Sequence, residues 1–173
     1  MGMRLLPLSV GELSTVALEL ERDAALRFRE YARRVRELGS EPVAAAFEAM
    51  ARDEDLEVAD LAAVSGGHQP CAPSSWEYAC QLEYMPDRME HRPRLVPLSV
   101  QEALHLALLA RRRAEAFYRD VAAHAREALV RAAAAEMLLR ERRQLLRLES
   151  LLEDENRAEQ ARGPRTGGGA RAP

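Results

Sequence analysis

Residues 6–32, LPLSVGELSTVALELERDAALRFREYA, return at 96–122 as VPLSVQEALHLALLARRRAEAFYRDVA. At a spacing of 90 residues Pro7/Pro97, Leu8/Leu98, Ser9/Ser99, Val10/Val100, Glu12/Glu102, Ala17/Ala107, Leu18/Leu108, Ala24/Ala114 and Ala32/Ala122 coincide, and Phe28 aligns with Tyr118. A repeat of this density means that one supersecondary unit is used twice, so the fold must pack two similar pieces together. Each copy opens with S-V-x-E. The Ser hydroxyl can accept from the amide three residues on while the Glu reaches back, a capping box that starts a helix at Ser9 and again at Ser99.

The first helix is expected to run to about Leu38, where Gly39 stops it. Ser40-Glu41-Pro42 then caps a second helix that reaches about Ala63, and so short a turn makes the two antiparallel neighbours. Residues 65–97 are rich in Pro and Gly, and only the stretch from Trp76 to Leu82 suits a short helix. A third helix is expected from Ser99 to Ala123 and a fourth from Glu127 to Asp154, with a break near His124 that carries neither Gly nor Pro. The pattern fits one all-α domain over residues 1–154 and a disordered tail over 155–173. Composition agrees: 47% of residues are hydrophobic but only 5% aromatic, and Ala, Leu, Glu and Arg dominate. Two apolar-faced hairpins joined by a long crossover close most naturally as a four-helix bundle.

The apolar stripes of these helices contain charges. Helical spacing groups Glu21 with Ala17, Ala24 and Phe28. It groups Glu54 and Glu57 with Phe47, Met50 and Leu61, Arg111 with Leu108 and Tyr118, and Glu141 with Leu138 and Leu145. All five fall near the middle of their helices and are expected at one level of the bundle. Buried carboxylates pair, bind a cation or take up a proton. Four acids around one Arg therefore leave two arrangements open: an ion-pair network centred on Arg111, or one metal ion held by Glu21, Glu54, Glu57 and Glu141. An all-oxygen shell suits Mn, Fe(II), Mg or Ca better than Zn or Cu.

With its duplicated helix pairs, its A-x-x-x-E-x-x-A-x-x-x-F pattern from Ala17 to Phe28 and the stretch FEAMARDEDLEVADL at 47–61, the chain resembles the rubrerythrin branch of the ferritin-like superfamily over about residues 7–152. The resemblance implies a ferritin-like bundle, a homodimer and a carboxylate di-iron site. By position Glu21 matches the family's first-helix ligand and Glu54 a bridging ligand, while Glu57 stands where the family has His. In the second half the spacing of 90 puts Arg111 in place of a Glu, and a spacing of 84 for the second helices puts Leu138 in place of the other bridging Glu and Glu141 in place of the second His. Leu138 cannot ligate and a guanidinium repels a second cation, so an intact di-iron centre is not expected. The function this implies is a binding or structural scaffold without catalytic residues. The alternative is a protein with one Fe or Mn ion that acts in oxidative-stress chemistry or metal handling. The rubredoxin-like Cys pairs that complete many rubrerythrins are absent.

Other features take plainer explanations. His68, His91, His105 and His124 match no ligand position and suit the surface or loops. Cys71 and Cys80 flank Trp76 and suit packed thiols better than a disulfide framework. The net charge of −3 and the acids interleaved with Arg111-Arg112-Arg113 give no nucleic-acid footprint. No apolar run approaches the length that spans a bilayer, and no cleavable signal pattern opens the chain, so the expected location is the cytoplasm.

Overall fold

A computed structural model of the chain describes residues 9–64 and 99–162. The crossover at 65–97, with Trp76, Cys71 and Cys80, lies outside the described residues, as does 163–173. The described residues form four helices: α1 (Val10–Glu37), α2 (Glu41–Val64), α3 (Val100–His124) and α4 (Ala128–Arg162). There is no strand among them.

The helix ends follow from local chemistry. Ser9 and Ser99 adopt extended backbone, and each hydroxyl accepts from the amide three residues on, Glu12 at 3.2 Å and Glu102 at 3.0 Å. Gly39 sits at φ 86°, a left-handed value that costs a side chain strain, and ends α1 in a Schellman motif. Its amide donates to Arg36 O at 2.9 Å and the Ser40 amide to Val35 O at 3.0 Å. The second turn uses no Gly or Pro. Ala125 swings to extended backbone, and the Arg131 guanidinium returns to the carbonyls of Ala125 and Arg126 at 2.8 and 2.7 Å. A side chain there satisfies the carbonyls at the C-cap and just beyond it.

The fourth helix runs further than expected. Residues 155–162, read as the start of the tail, are its last turns; they are Glu, Arg, Ala and Gln with one Asn, and Gly163 is the first residue that opposes a helix.

Inter-helix contacts fix the directions. Arg29 pairs with Asp55 and Arg36 with Glu48, so α1 and α2 are antiparallel. Arg112 meets Glu149 and Arg142 meets Glu115, so α3 and α4 are antiparallel. Across the hairpins Glu21 meets Tyr118 while Phe28 meets Arg111, and Asp53 meets Arg147 while Glu57 meets Arg140. Hence α1 opposes α3 and α2 opposes α4, and the end of α2 and the start of α3 lie at opposite ends of the bundle.

Two apolar clusters fill the interior. One gathers Phe28, Tyr31, Phe47, Met50, Leu104 and Leu148; the other gathers Leu13, Val16, Phe117, Tyr118, Val121 and Val130. The stripes read from the sequence are the buried ones, with Glu57, Ala122, Leu138 and Leu152 only partly covered. Between the two clusters lies a polar layer.

Candidate metal centre

The polar layer is built from six side chains, three from each hairpin. Glu21 on α1, Glu54 on α2, and Arg111 and Glu141 on α3 and α4 are each no more than 3% exposed. Gln144 on α4 is 8% exposed, and Glu57 on α2 is half-buried. Each lies on the inward stripe of its helix because the same 3.6-residue period that buries Ala17, Phe47, Leu108 and Leu148 carries it there.

Arg111 is the hub. Its Nη1 donates to Glu141 Oε1 at 2.7 Å and to Glu21 Oε2 at 3.1 Å, and its Nη2 to Glu21 Oε2 at 3.2 Å. Nη2 also lies 3.6 Å from Glu54 Oε1. The guanidinium carbon sits 5.6 Å from the centre of the Phe28 ring, within cation–π range. Tyr118 donates its hydroxyl to Glu21 Oε1 at 3.1 Å, and Gln144 Nε2 donates to Glu54 Oε1 at 3.1 Å. Glu57 faces Arg140 at 3.6 Å on the outer edge.

One guanidinium does not balance this layer. With Glu21, Glu54 and Glu141 ionised beside Arg111, the buried groups carry two negative charges in excess. Burial, opposed only in part by Arg111, pushes Glu54 up to about 9, with the charge of Glu21 and a hydrogen bond to it adding to the rise. A hydrogen bond between two carboxyl groups needs a proton between them. Burial likewise pushes Glu141 up to about 8, against Arg111 and with Glu21. Glu57 is also raised, by burial and the Glu21 charge, while Arg140 opposes the rise. Burial alone would lower Arg111, but Glu141, Glu54 and Glu21 together raise it, so it stays charged. The layer reaches neutrality by holding about two protons, or by accepting one divalent cation in their place.

The donor set suits a cation. One carboxylate oxygen from each of Glu21, Glu54 and Glu57 lies within 4.8 Å of the others. Two further oxygens, Glu141 Oε2 and Gln144 Oε1, are buried and accept no hydrogen bond. Buried acceptors without donors are costly, and a hard cation is one partner that satisfies them.

The structure changes one part of the sequence reading. A spacing of 84 for the second helices placed Leu138 at a bridging position and Glu141 at a His position. The first helices differ in length: α1 has 28 residues and α3 has 25. The repeat spacing therefore drops by three at the turn, and α2 and α4 begin 87 residues apart. Glu54 then corresponds to Glu141 and Glu57 to Gln144, so E-x-x-E in α2 is answered by E-x-x-Q in α4. Contacts agree: a Glu21 oxygen lies within 4.8 Å of one of Glu54 in the first hairpin, as Arg111 meets Glu141 in the second. Leu138 instead packs against the cluster around Leu13 and Phe117. Gln144 was missed because an amide in an Arg-rich stretch reads as surface. Of the four acids expected to ligate, Glu21, Glu54 and Glu57 come together, and Glu141 is engaged by Arg111. Of the histidines, His105 and His124 each bond a backbone carbonyl of their own helix at exposed positions, and His68 and His91 lie outside the described residues.

Comparison of the chain with known protein families, curated proteins and solved structures finds no match. Among the described residues no helix is long and apolar enough to cross a membrane.

Proposed function

We propose that the protein is a ferritin-like bundle of rubrerythrin type that binds a single divalent metal ion, Mn or Fe, and is not an efficient enzyme. One observation carries this reading. Three carboxylates converge in a buried layer with two excess negative charges, beside two buried oxygens that accept no hydrogen bond. Glu21, Glu54 and Glu57 would hold the ion, in a layer that also contains the buried Glu141 and Gln144. A bound ion would supply Lewis acidity and, as Fe, one-electron redox chemistry. The protein's own groups do the rest. Tyr118 and Arg111 orient Glu21, Gln144 orients Glu54, and the apolar clusters on either side exclude water.

Arg111 takes the part of a second cation. It stands 90 residues after Glu21 in the repeat and neutralises the half of the layer that a second ion would neutralise. A homodimer is part of the same proposal; the exposed Leu139 and Leu146, one heptad apart on α4, suit a subunit contact. A second reading is a metal-free scaffold in which Arg111 and two protons complete the balance, supported by the hydrogen bonds Arg111 already makes to Glu21 and Glu141.

Calorimetric titration with Mn2+ at pH 7.5 separates the two. The metal reading expects saturable uptake of one ion per chain, abolished in Glu54→Gln. No uptake by a folded wild-type protein would establish the metal-free scaffold.

A further inference from the structure

The buried layer can be approached from two sides, and they differ in charge. Between α1 and α3 a cavity of about 40 Å³ has Arg111 among its lining residues. Arg27 and Arg113 also line it, with Phe28 and Tyr31; its one acid is Asp23, which pairs with Arg27 at 2.8 Å. The lining of this side carries three guanidinium groups and one carboxylate, whereas the opposite side presents acids. The other side is the seam between α2 and α4. Glu57 stands in it with 25% of its side chain exposed, whereas Glu21, Glu54 and Glu141 show no more than 4%. Glu57 is thus the one candidate ligand that touches both solvent and the interior. Its Oε2 lies 3.6 Å from Nη1 of Arg140, whose side chain is 38% exposed. One turn away on α2 Asp53 holds Arg147 at 2.6 Å, so an Arg from α4 pairs with an α2 acid at each of the two places.

Resting on the metal-binding reading above, we infer that a divalent cation reaches the layer through the α2–α4 seam, that Glu57 is its first ligand, and that Arg140 is a latch competing with the ion for that carboxylate. The latch is cheap to open. A part-exposed ion pair contributes little, and its guanidinium regains hydration when it swings out. An arriving cation takes Glu57 from Arg140 and then recruits Glu54 and Glu21, whose oxygens lie within 4.8 Å of it and of one another. Arg111, fixed by Glu21 and Glu141, blocks passage from the far side.

The test is the rate of Mn2+ transfer from a fluorescent chelator after rapid mixing, with equilibrium uptake measured beside it. Arg140→Gln is expected to speed transfer about three- to tenfold and to tighten binding by a similar factor, consistent with removing one charge next to the entrance. Arg140→Lys should stay near wild type. Arg143→Gln removes the same charge from the same helix at an exposed position and should change the rate less than twofold, which separates a latch from a general charge effect. Arg27→Gln, on the opposite cavity, should also change little. Equal rates for wild type, Arg140→Gln and Arg143→Gln, with one ion still bound, would overturn the latch and leave the metal site standing. Acceleration by Arg27→Gln alone would move the route to the α1–α3 cavity. Absence of uptake in wild type with uptake in Arg140→Gln would show the latch closed. Absence in both would end the metal reading and this inference with it.

Discussion

Midway along α1, Glu21 accepts hydrogen bonds from Tyr118 and Arg111; at the equivalent point of α3, Arg111 lies over Phe28 and donates to Glu21 and Glu141. The two hairpins thus place matching positions against each other and fill them with opposite chemistry. The N-terminal trio is Glu21, Glu54 and Glu57, three acids; the C-terminal trio is Arg111, Glu141 and Gln144, which sums to zero charge. Even the aromatic partners follow: the acid faces a hydroxyl from Tyr118, and the guanidinium faces the bare ring of Phe28. A duplicated scaffold tolerates this divergence because backbone geometry is set by helix caps and apolar stripes, which both halves share. The charge within the layer can then change one side chain at a time, provided the total remains balanced.

The most disruptive way to break the asymmetry is Arg111→Leu, which leaves Glu21, Glu54 and Glu141 buried without their cation. Removing one partner of a buried ion pair costs about 3–5 kcal/mol. Chemical denaturation should register that loss in metal-free protein, and added Mn2+ should restore part of it. A variant as stable as wild type would mean that protons already balance the layer unaided.

The pH response is next. Glu54 and Glu141 are raised to about 9 and about 8 from an ordinary value near 4.5, so the folded state holds protons that the unfolded chain has released. Their contribution is complete below about pH 4.5 and fades as pH rises through 8 and 9, by at most about 1.4 kcal/mol per pH unit for each group. Metal-free protein is therefore expected to lose stability from pH 5 to pH 9. Glu54→Gln should flatten that fall, and Mn2+ should stabilise wild type most at the alkaline end. Stability that rises over this range would count against the excess buried charge.

Tyr118→Phe makes the two aromatic positions alike. It removes the hydroxyl that donates to Glu21, and thermal unfolding should show a loss of about 1–3 kcal/mol. A silent substitution would mean that Arg111 alone orients Glu21. At the scaffold level the halves should behave alike: Ser9→Ala and Ser99→Ala each remove a cap, and each is expected to cost about 1 kcal/mol. Clearly unequal costs would show that the two helix starts are not equivalent.

Much of the scaffold is legible in the sequence, and the reasons are local. S-V-x-E marks both helix starts, Gly39 marks the first turn, and the apolar period phases Glu21, Glu54, Arg111 and Glu141 inward. The second turn is legible as a break near His124, although its device, Arg131 reaching back five and six residues to two carbonyls, reads as surface. Matching residues of the second helices at a spacing of 84, where their starts lie 87 apart, puts Leu138 into the site and leaves Gln144 out. The end of α4 was missed for a different reason: charge-rich composition resembles a tail, yet Arg157 pairs with Asp154 at 2.6 Å and Gln101 of α3 bonds Glu159, holding the last turns as helix.

The most direct measurement is metal content per chain in protein purified without chelator from cells supplied with Mn and Fe, beside Glu54→Gln and Arg111→Glu. The account predicts about one ion in wild type, none in Glu54→Gln, and two in Arg111→Glu, where an acid replaces the built-in cation. Two ions in wild type would contradict the role given to Arg111, and none in any of the three would contradict the metal centre itself.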